Sequence, residues 1–310
     1  MTETQKAHVG LALAMVFFGL MAPFSKDAMN SGITGLQMAT LRISGAAVLF
    51  WLATPFTKRQ HVPRKATGRR AMLGNKDMLR ILLASILGIT IAQGGFVVGL
   101  GLTSPINASI EVTLQPVFTL LLSWVILGER INAKTALGVL LGLAGAVILV
   151  LQNSNGDGQT IDIRGDLLVL ASQLSFAVYL TIFRDIIHRY SLLTFNRWMF
   201  TFATLTLLPL SWGEMAQLNV SGISLRTLLE IAYIIVVCSF ITFLLVVNSQ
   251  RHLPSTVVST YNYIQPVVTV IASILMGVAV LSVWQVIAAA FIFSGVWLVT
   301  RSRAKQQGKQ

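Results

Sequence analysis

The sequence predicts an all-α polytopic membrane protein with ten transmembrane helices, arranged as two inverted repeats of five helices. Hydrophobic residues make up 55% of the 310 residues and charged residues only 11%, whereas soluble chains contain about 25% charged residues. The apolar runs are close to the length of about 20 residues at which a helix crosses the hydrocarbon core of a bilayer. A third observation, the similarity between the two halves of the chain, predicts the repeat.

Ten apolar runs account for most of the chain, and the short connections between them leave no room for a soluble domain. The first run is too long for the core of a signal peptide, and no clear small-residue cleavage site follows it, so we interpret it as a membrane helix. The predicted spans are residues 8–29, 33–53, 79–101, 104–127, 134–151, 165–187, 193–212, 227–249, 254–276 and 281–300.

The distribution of basic residues predicts that both termini lie in the cytoplasm. Cytoplasmic segments of membrane proteins are enriched in Lys and Arg. With both termini inside, most of the 23 Lys and Arg residues fall in inner segments, many of them in a basic cytoplasmic loop, residues 54–78, and in a cytoplasmic tail, residues 303–310. The outer segments hold only Lys26, Arg164 and Arg226. This bias explains the net charge of +12, so we expect no nucleic-acid partner. The expected location is the inner membrane of a bacterial cell.

The chain is predicted to contain two copies of a five-helix unit, residues 8–151 and 165–302. The segment ASIEVTLQPVFTLLLS, residues 108–123, aligns with VSTYNYIQPVVTVIAS, residues 258–273, at an offset of 150 residues. The matching positions are Ser109 with Ser259, Gln115 with Gln265, Pro116 with Pro266, Thr119 with Thr269, Ser123 with Ser273 and Gly145 with Gly295. Because five is odd, the second copy enters the membrane from the opposite side, which is a common plan of secondary transporters.

Several motifs of the first copy occur together in a known family. They are the small-residue-rich start of the fourth span, its mid-helix proline, the Gly-Glu pair at residues 128–129 and the glycine-rich fifth span. FFGLMAPFSK at residues 17–26 and the arginine in LRISGAAV add to the pattern. The chain therefore resembles the EamA-type family of the drug/metabolite transporter superfamily, although the second copy matches less well, because its ninth span ends in MGVAVLS without a Gly-Glu pair. The resemblance covers nearly the whole chain. It implies a transporter but names no substrate, since the family handles amino acids, drugs, sugars and nucleotide derivatives.

Glu111 is the one carboxylate that lies clearly inside a predicted span. An ionisable group that faces lipid costs about 2.5–3.5 kcal/mol or more, so Glu111 should face the bundle interior or a water-filled cavity. On one continuous helix Glu111, Gln115 and Thr119 would share a face. Three roles stay open for this side chain: a neutral acid hydrogen-bonded to a neighbouring helix, a partner for a cationic group on the substrate, or the site that binds and releases a coupling proton.

A central polar cavity is predicted from polar and aromatic residues that lie at membrane depth, with ordinary packing as the alternative for each of them. The candidate substrate-binding residues are Phe18, Gln93, Glu111, Gln115, Gln173, Ser175, Tyr179, Tyr261, Asn262 and Gln265. Pro116 and Pro266 are predicted hinges, because a proline removes one backbone donor and frees a carbonyl one turn earlier. Arg42 and Arg197 align at an offset of 155 residues, and we expect them to snorkel or to pair within the bundle rather than to contact substrate.

These features predict a secondary active transporter of small organic solutes that works by alternating access, and the resemblance to the EamA-type family favours export. The resemblance favours amino acids, drugs or related metabolites as substrates. Coupling to protons is a further hypothesis, with Glu111 as its candidate. The expected partners are thus a small-molecule substrate, the lipid bilayer and protons as the coupling ion.

Two other classes compete with a transporter. A facilitative channel would be expected to carry rings of charge or a filter loop, and an intramembrane enzyme would need a nucleophile with a base, a metal cluster or paired acids. The sequence has no metal-binding or phosphate-binding motif, so we expect no enzyme activity, no cofactor and no metal. The single cysteine, Cys238, is expected to be a buried thiol. The motifs Gly138-x3-Gly142 and Gly95-x3-Gly99 permit close helix packing within the subunit or in a homodimer.

Overall fold

The architecture was taken from a computed structural model, which describes residues 2–54, 75–127, 133–153, 162–183, 186, 190–219, 222–252 and 261–307. Within these ranges the chain forms helices joined by short turns, with no β-strand. The helices are α1 (Glu3–Asn30), α2 (Gly35–Ala53), α3 (Asn75–Ser85), π1 (Ile86–Gly94), α4 (Gly95–Leu102), α5 (Pro105–Val112), α6 (Gln115–Leu127), α7 (Ala133–Asn153), α8 (Ile163–Ile182), α9 (Leu192–Ala216), α10 (Leu225–Tyr233), π2 (Ile234–Ile241), α11 (Thr242–His252), α12 (Ile264–Leu275) and α13 (Val283–Gln307).

Helical residues occur at every predicted span. Six stretches of the described residues are long and apolar enough to cross a membrane, and three shorter apolar helices accompany them. The all-α, membrane-spanning fold class is therefore confirmed, while the count of ten crossings stays a prediction. Three predicted features fall wholly or largely outside the described residues: the basic loop, the Gly-Glu pair and the first part of the ninth span. The last helix continues past its predicted end, through the first residues of the predicted tail.

Helices of one half pack against helices of the other half in a reciprocal pattern. Helix α1 packs against the eighth span, formed by α10, π2 and α11, and against α12 of the ninth. Its repeat equivalent, α8, packs against π1 and α4 of the third span and against α5 and α6 of the fourth. The equivalent helices α2 and α9 pack on each other, as do α7 and α13. This is the contact pattern expected of two halves related by a two-fold axis.

The contact between α7 and α13 depends on glycines that the repeat alignment pairs. A Cβ atom added at Gly295 would lie 2.5 Å from the carbonyl oxygen of Gly138 and 2.6 Å from the backbone nitrogen of Gly142. A Cβ atom added at Gly145 would lie 2.5 Å from a side-chain carbon of Ile292. The glycines at 138 and 142 therefore serve a close helix contact within the subunit, where backbones approach without side chains between them.

Replacing Gly295 by alanine should destabilise the protein by about 1–3 kcal/mol, since overpacking of a filled contact costs this much. The obstacle is the backbone of α7, which cannot rotate away as a side chain can. Thermal unfolding of the detergent-solubilised protein measures the effect.

The matched control for this substitution is Gly213→Ala. Gly213 lies in α9, and an added Cβ there would meet no atom within 4 Å. It should be neutral or slightly stabilising, because alanine favours helix over glycine. Equal melting temperatures for the two variants would contradict the close contact of α7 with α13.

Candidate functional site

The fourth span consists of two helices with a break between them. Helix α5 ends before Thr113 and α6 begins at Gln115, and the amides of Thr113 and Leu114 bond to carbonyls three residues earlier. Pro116 is the second residue of α6, a position where a proline is tolerated because helix-initial amides have no intrahelical partner. The continuous helical face predicted for Glu111 and Gln115 is therefore interrupted between these two residues.

The described part of the ninth span resembles the start of α6. Asn262 and Tyr263 form a turn, and α12 begins at Ile264, so that Pro266 lies in its first turn. The amide of Gln265 bonds to the carbonyl of Asn262 at 3.2 Å. Pro116 and Pro266 thus both lie in the first turn of a helix, and in the fourth span that helix follows a break after α5. Such interrupted helices commonly form the substrate sites of secondary transporters.

The third and eighth spans, which are repeat equivalents, both contain a π-helix, π1 and π2. Side-chain hydroxyls bond to carbonyls of these segments. Ser239 Oγ donates to the carbonyl of Ile234 at 2.9 Å, and Ser175 Oγ on α8 donates to the carbonyl of Leu87 at 2.8 Å. Residues of π-helices are often functional. Hydrophobic periodicity contains no signal for a π-helix, so the sequence analysis missed both.

Arg42 lies between the two π-helices and is 1% exposed. Its Nε donates to Ser239 Oγ of π2 at 2.8 Å, and its Nη2 donates to Gln93 Oε1 of π1 at 2.9 Å. Its Nη1 has no hydrogen-bond partner, and no carboxylate of the described residues forms an ion pair with it. We call Arg42, Gln93 and Ser239 the central cluster. Of the two roles expected for Arg42, snorkelling is wrong, because the guanidinium is buried.

Arg197, the repeat counterpart of Arg42, has a different environment. Its guanidinium carbon lies 4.4 Å from the ring centroid of Trp51 and 5.7 Å from that of Trp198. Arg197 is half-buried and makes cation–π contacts with these rings, and its snorkelling stays a prediction. The two arginines therefore align in sequence without being equivalent in structure.

Glu111 is fully buried, with 0% exposure. Neither of its carboxylate oxygens has a hydrogen-bond partner among the described residues. Asp166 on α8 is also buried, and it accepts a hydrogen bond from Thr103 Oγ1. No ion pair in the described part of the chain joins Glu111 to Arg42. The expectation that Glu111 avoids lipid is confirmed, and its oxygens remain open to a proton or a ligand.

The predicted cavity residues of α8 lie in the contact between α8 and π1. Tyr179 packs over Gly88, where an added Cβ would lie 2.8 Å from the aromatic ring. Gln173 Nε2 donates to Ser172 Oγ at 3.2 Å, and Ser175 bonds to the π1 backbone. All three predicted residues are buried; Tyr179 and Ser175 contact π1, whereas the hydrogen bond of Gln173 lies within α8.

The predicted cavity residues of the ninth span face α1. Gln265 Nε2 donates to Met15 Sδ at 3.1 Å, and Tyr261 Oη shares a hydrogen bond of 2.8 Å with His8 Nδ1. Asn262 is half-buried.

Two predicted cavity residues remain. Phe18 packs edge-on against Phe243 of α11, with ring centroids 6.0 Å apart. Gln115 is half-buried. The structure therefore separates the predicted residues: Gln93 belongs to the central cluster, Glu111 is buried in the fourth span, and most of the others lie in contacts of α1 or α8.

One face of the molecule is closed by polar contacts between the halves. We call it the loop face, and it contains the helix ends near residues 30–35, 102–105, 216–225 and 275–283. Arg226 of α10 pairs with Asp27 of α1 at 2.5 Å and with Glu230 at 3.3 Å. Beside this ion pair, Thr227 Oγ1 donates to Ser31 Oγ at 3.2 Å.

Further contacts extend this closure. Glu214 of α9 receives hydrogen bonds from Thr34 Oγ1 and, on its carbonyl, from Gln37 Nε2 at 2.7 Å. Gln285 Nε2 of α13 donates to Asn107 Oδ1 of α5 at 2.7 Å. The first half is thus joined to the second along this face.

A cleft of about 580 Å³ lies between α12 and α13. Its lining is mainly aromatic and apolar, with Tyr263, Phe293, Ser294, Trp297 and Leu298. Trp297 and Ser294 are exposed, so this cleft opens on the outer surface of the helix bundle and does not match the predicted polar cavity.

Comparison with known proteins gives one consistent result. The model of the EamA-like transporter family matches residues 5–151 and 163–301. The chain is 25% identical over 222 residues to the "Uncharacterized transporter YyaM" of Bacillus subtilis, covering 71% of this chain and 72% of that protein. It is 22% identical over 298 residues to an "Uncharacterized transporter" of Archaeoglobus fulgidus, covering 96% and 100%. A solved crystal structure shares the fold, with a TM-score of 0.62 at 18% identity over 98% of this chain and 99% of that one. Because the family model matches nearly the whole sequence, this chain belongs to the EamA-like transporter family.

Proposed function

We propose that the protein is a secondary active transporter that exports small organic solutes across the inner membrane of a bacterial cell by alternating access. The observation that carries the proposal is the reciprocal packing of the two halves. Helix α1 packs on the eighth and ninth spans in the same way as α8 packs on the third and fourth spans. Because each contact has a counterpart in the other half, an exchange of conformations between the halves closes one face and opens the other.

The polar interior supports this proposal. In the described part of the chain, Arg42 and Glu111 have buried polar atoms without a hydrogen-bond partner, and ionisable groups in a membrane interior are costly and usually functional. A carrier needs groups that bind a solute in both conformations and release it in each, so partly unsatisfied groups suit it. Export is the direction that the family resemblance favours, and the predicted cytoplasmic termini make the loop face the outer one.

The test is solute flux in proteoliposomes that contain the purified protein. A library of amino acids, organic acids and drugs is screened for uptake that saturates and for counterflow, in which unlabelled solute inside accelerates entry of labelled solute. Saturation with counterflow is the expected result. Flux that rises linearly without counterflow would indicate a channel, and chemical conversion of a solute would indicate an enzyme; either contradicts the proposal.

Cross-linking of the loop face should stop transport. Ser31 Oγ and Thr227 Oγ1 are 3.2 Å apart, which is compatible with the Cβ separation that a disulfide needs. In a Cys238→Ala background, Ser31→Cys combined with Thr227→Cys should form a disulfide on oxidation and lose transport, because the face can no longer open. A reducing agent should restore the activity.

Each single cysteine variant serves as the control for this experiment, since oxidation should leave its transport unchanged. Full transport by the oxidised double variant, with the cross-link verified by mass spectrometry, would exclude opening of the loop face as a step of the cycle.

Glu111→Gln tests proton coupling. The substitution removes the ionisable proton and keeps the size of the side chain, so the variant should fold. If Glu111 carries the coupling proton, an imposed pH gradient should no longer drive transport in the variant, while counterflow at equal pH persists. Glu3→Gln is the control, because Glu3 is exposed at the start of α1. Gradient-driven transport that matches the wild type would assign Glu111 a structural role.

A further inference from the structure

Arg42 combines a buried charge with unused hydrogen-bond donors. A guanidinium carries five N–H donors and keeps its charge in proteins. The Nε and Nη2 atoms of Arg42 each make one hydrogen bond to a neutral oxygen, of Ser239 and Gln93. The Nη1 atom is buried and has no hydrogen-bond partner in the part of the chain that the structure describes. The site therefore has unused donors that suit an oxyanion. None of the described carboxylates occupies them.

Its position in the fold also suits a binding group. Arg42 is seven residues from the start of α2, which places it about 10 Å below the loop face at about 1.5 Å per residue. Its two partners belong to π1 and π2, the equivalent irregular segments of the two halves. A ligand on Arg42 would thus contact a residue that is hydrogen-bonded to both halves. A movement of one half against the other would therefore change the binding site.

A purely structural role explains the observations less well. If Arg42 only joined Ser239 to Gln93, hydrogen bonds would be enough and no charge would be needed. A neutral amide side chain could make such hydrogen bonds. A charge buried without a counter-charge is unfavourable. Gln93 is only half-buried, so the cluster is not sealed on the π1 side. A guanidinium in this setting matches the planar, two-oxygen geometry of a carboxylate or a phosphate.

We propose that Arg42 binds the oxyanion of the transported solute, so that the substrates are small organic anions or zwitterions. This inference rests on the proposed transport function and names its substrate class. Gln93 and Ser239 act as positioning residues, because they fix the guanidinium with Nη1 free.

The experiment measures thermal unfolding of the purified full-length protein with probes matched in shape. The pairs are benzoate with benzamide and L-leucine with L-leucinamide, and inorganic phosphate is a separate arm. A carboxylate or phosphate should raise the melting temperature saturably, while the amides should not, since ligands that bind the folded state stabilise it. Phosphate alone would narrow the class to phosphorylated solutes, and carboxylates alone would narrow it to organic acids and amino acids.

Arg42→Gln should weaken the binding of the effective probe at least about tenfold, the loss expected when a charge-assisted hydrogen bond is removed. Arg42→Lys keeps the charge and should bind with intermediate affinity. Arg197→Gln is the matched control, because this counterpart stacks on tryptophan, and it should bind like the wild type. The wild-type comparison of acid with amide decides the question even where a variant fails to fold.

Three results would overturn the inference: equal stabilisation by acid and amide, no stabilisation by any oxyanion, or undiminished binding by a folded Arg42→Gln variant. The transport proposal is judged separately by counterflow. Oxyanion binding without counterflow would keep Arg42 as an oxyanion site but refute transport, so that the bound anion would no longer be a transported solute. Counterflow confined to solutes without an oxyanion would support transport and refute the inference about Arg42.

Discussion

A bilayer offers no water to a backbone amide or carbonyl, and this constraint governs where the helices of this protein are irregular. The interrupted fourth span, helix α12 of the ninth span and the π-helices of the third and eighth spans contact helices of the opposite half. There, side-chain hydroxyls donate to backbone carbonyls, as Ser175 does to Leu87 and Ser239 to Ile234. Irregular backbone is tolerated in membranes where protein or a cavity surrounds it. The same positions therefore have polar groups at depth, which a continuous α-helix would not provide.

The two kinds of contact between the halves differ in how readily they can separate. At α7 and α13 the backbones meet directly at glycines such as Gly295, with no side chain to rearrange. At the loop face the halves meet through hydrogen bonds and an ion pair in which the Arg226 side chain is largely exposed. Exposed ion pairs contribute only about 0–1 kcal/mol. On the proposed mechanism the glycine contact is the stable frame, and the loop face is the part that opens.

The spans and the repeat could be predicted because they depend on local properties, namely the length of apolar runs and a constant offset between similar segments. The burial of Glu111 followed from the cost of exposing a carboxylate to lipid. The surroundings of Arg42 could not be predicted, because its partners are 51 and 197 residues away in the chain. Alignment made Arg42 and Arg197 equivalent, yet one is enclosed by π-helices and the other lies over Trp51. Such differences depend on which helix faces surround a residue. The hydropathy of the sequence does not contain this information.

The separation of Arg42 from Glu111 bears on how coupling could work. A basic and an acidic side chain inside one apolar bundle would stabilise each other most as an ion pair, but in the described residues they form none, and both keep buried atoms without partners. Fold stability alone does not explain this arrangement, because pairing or neutral replacement would serve it better. On the proposed mechanism each group is kept available for a different ligand, an oxyanion at Arg42 and a proton at Glu111. Coupling would then pass through the helices between them, since α8 contacts both the π1 segment that holds Gln93 and the α5 helix that carries Glu111. Movement of α8 against these two helices is thus the step in which occupancy of one site can change the other.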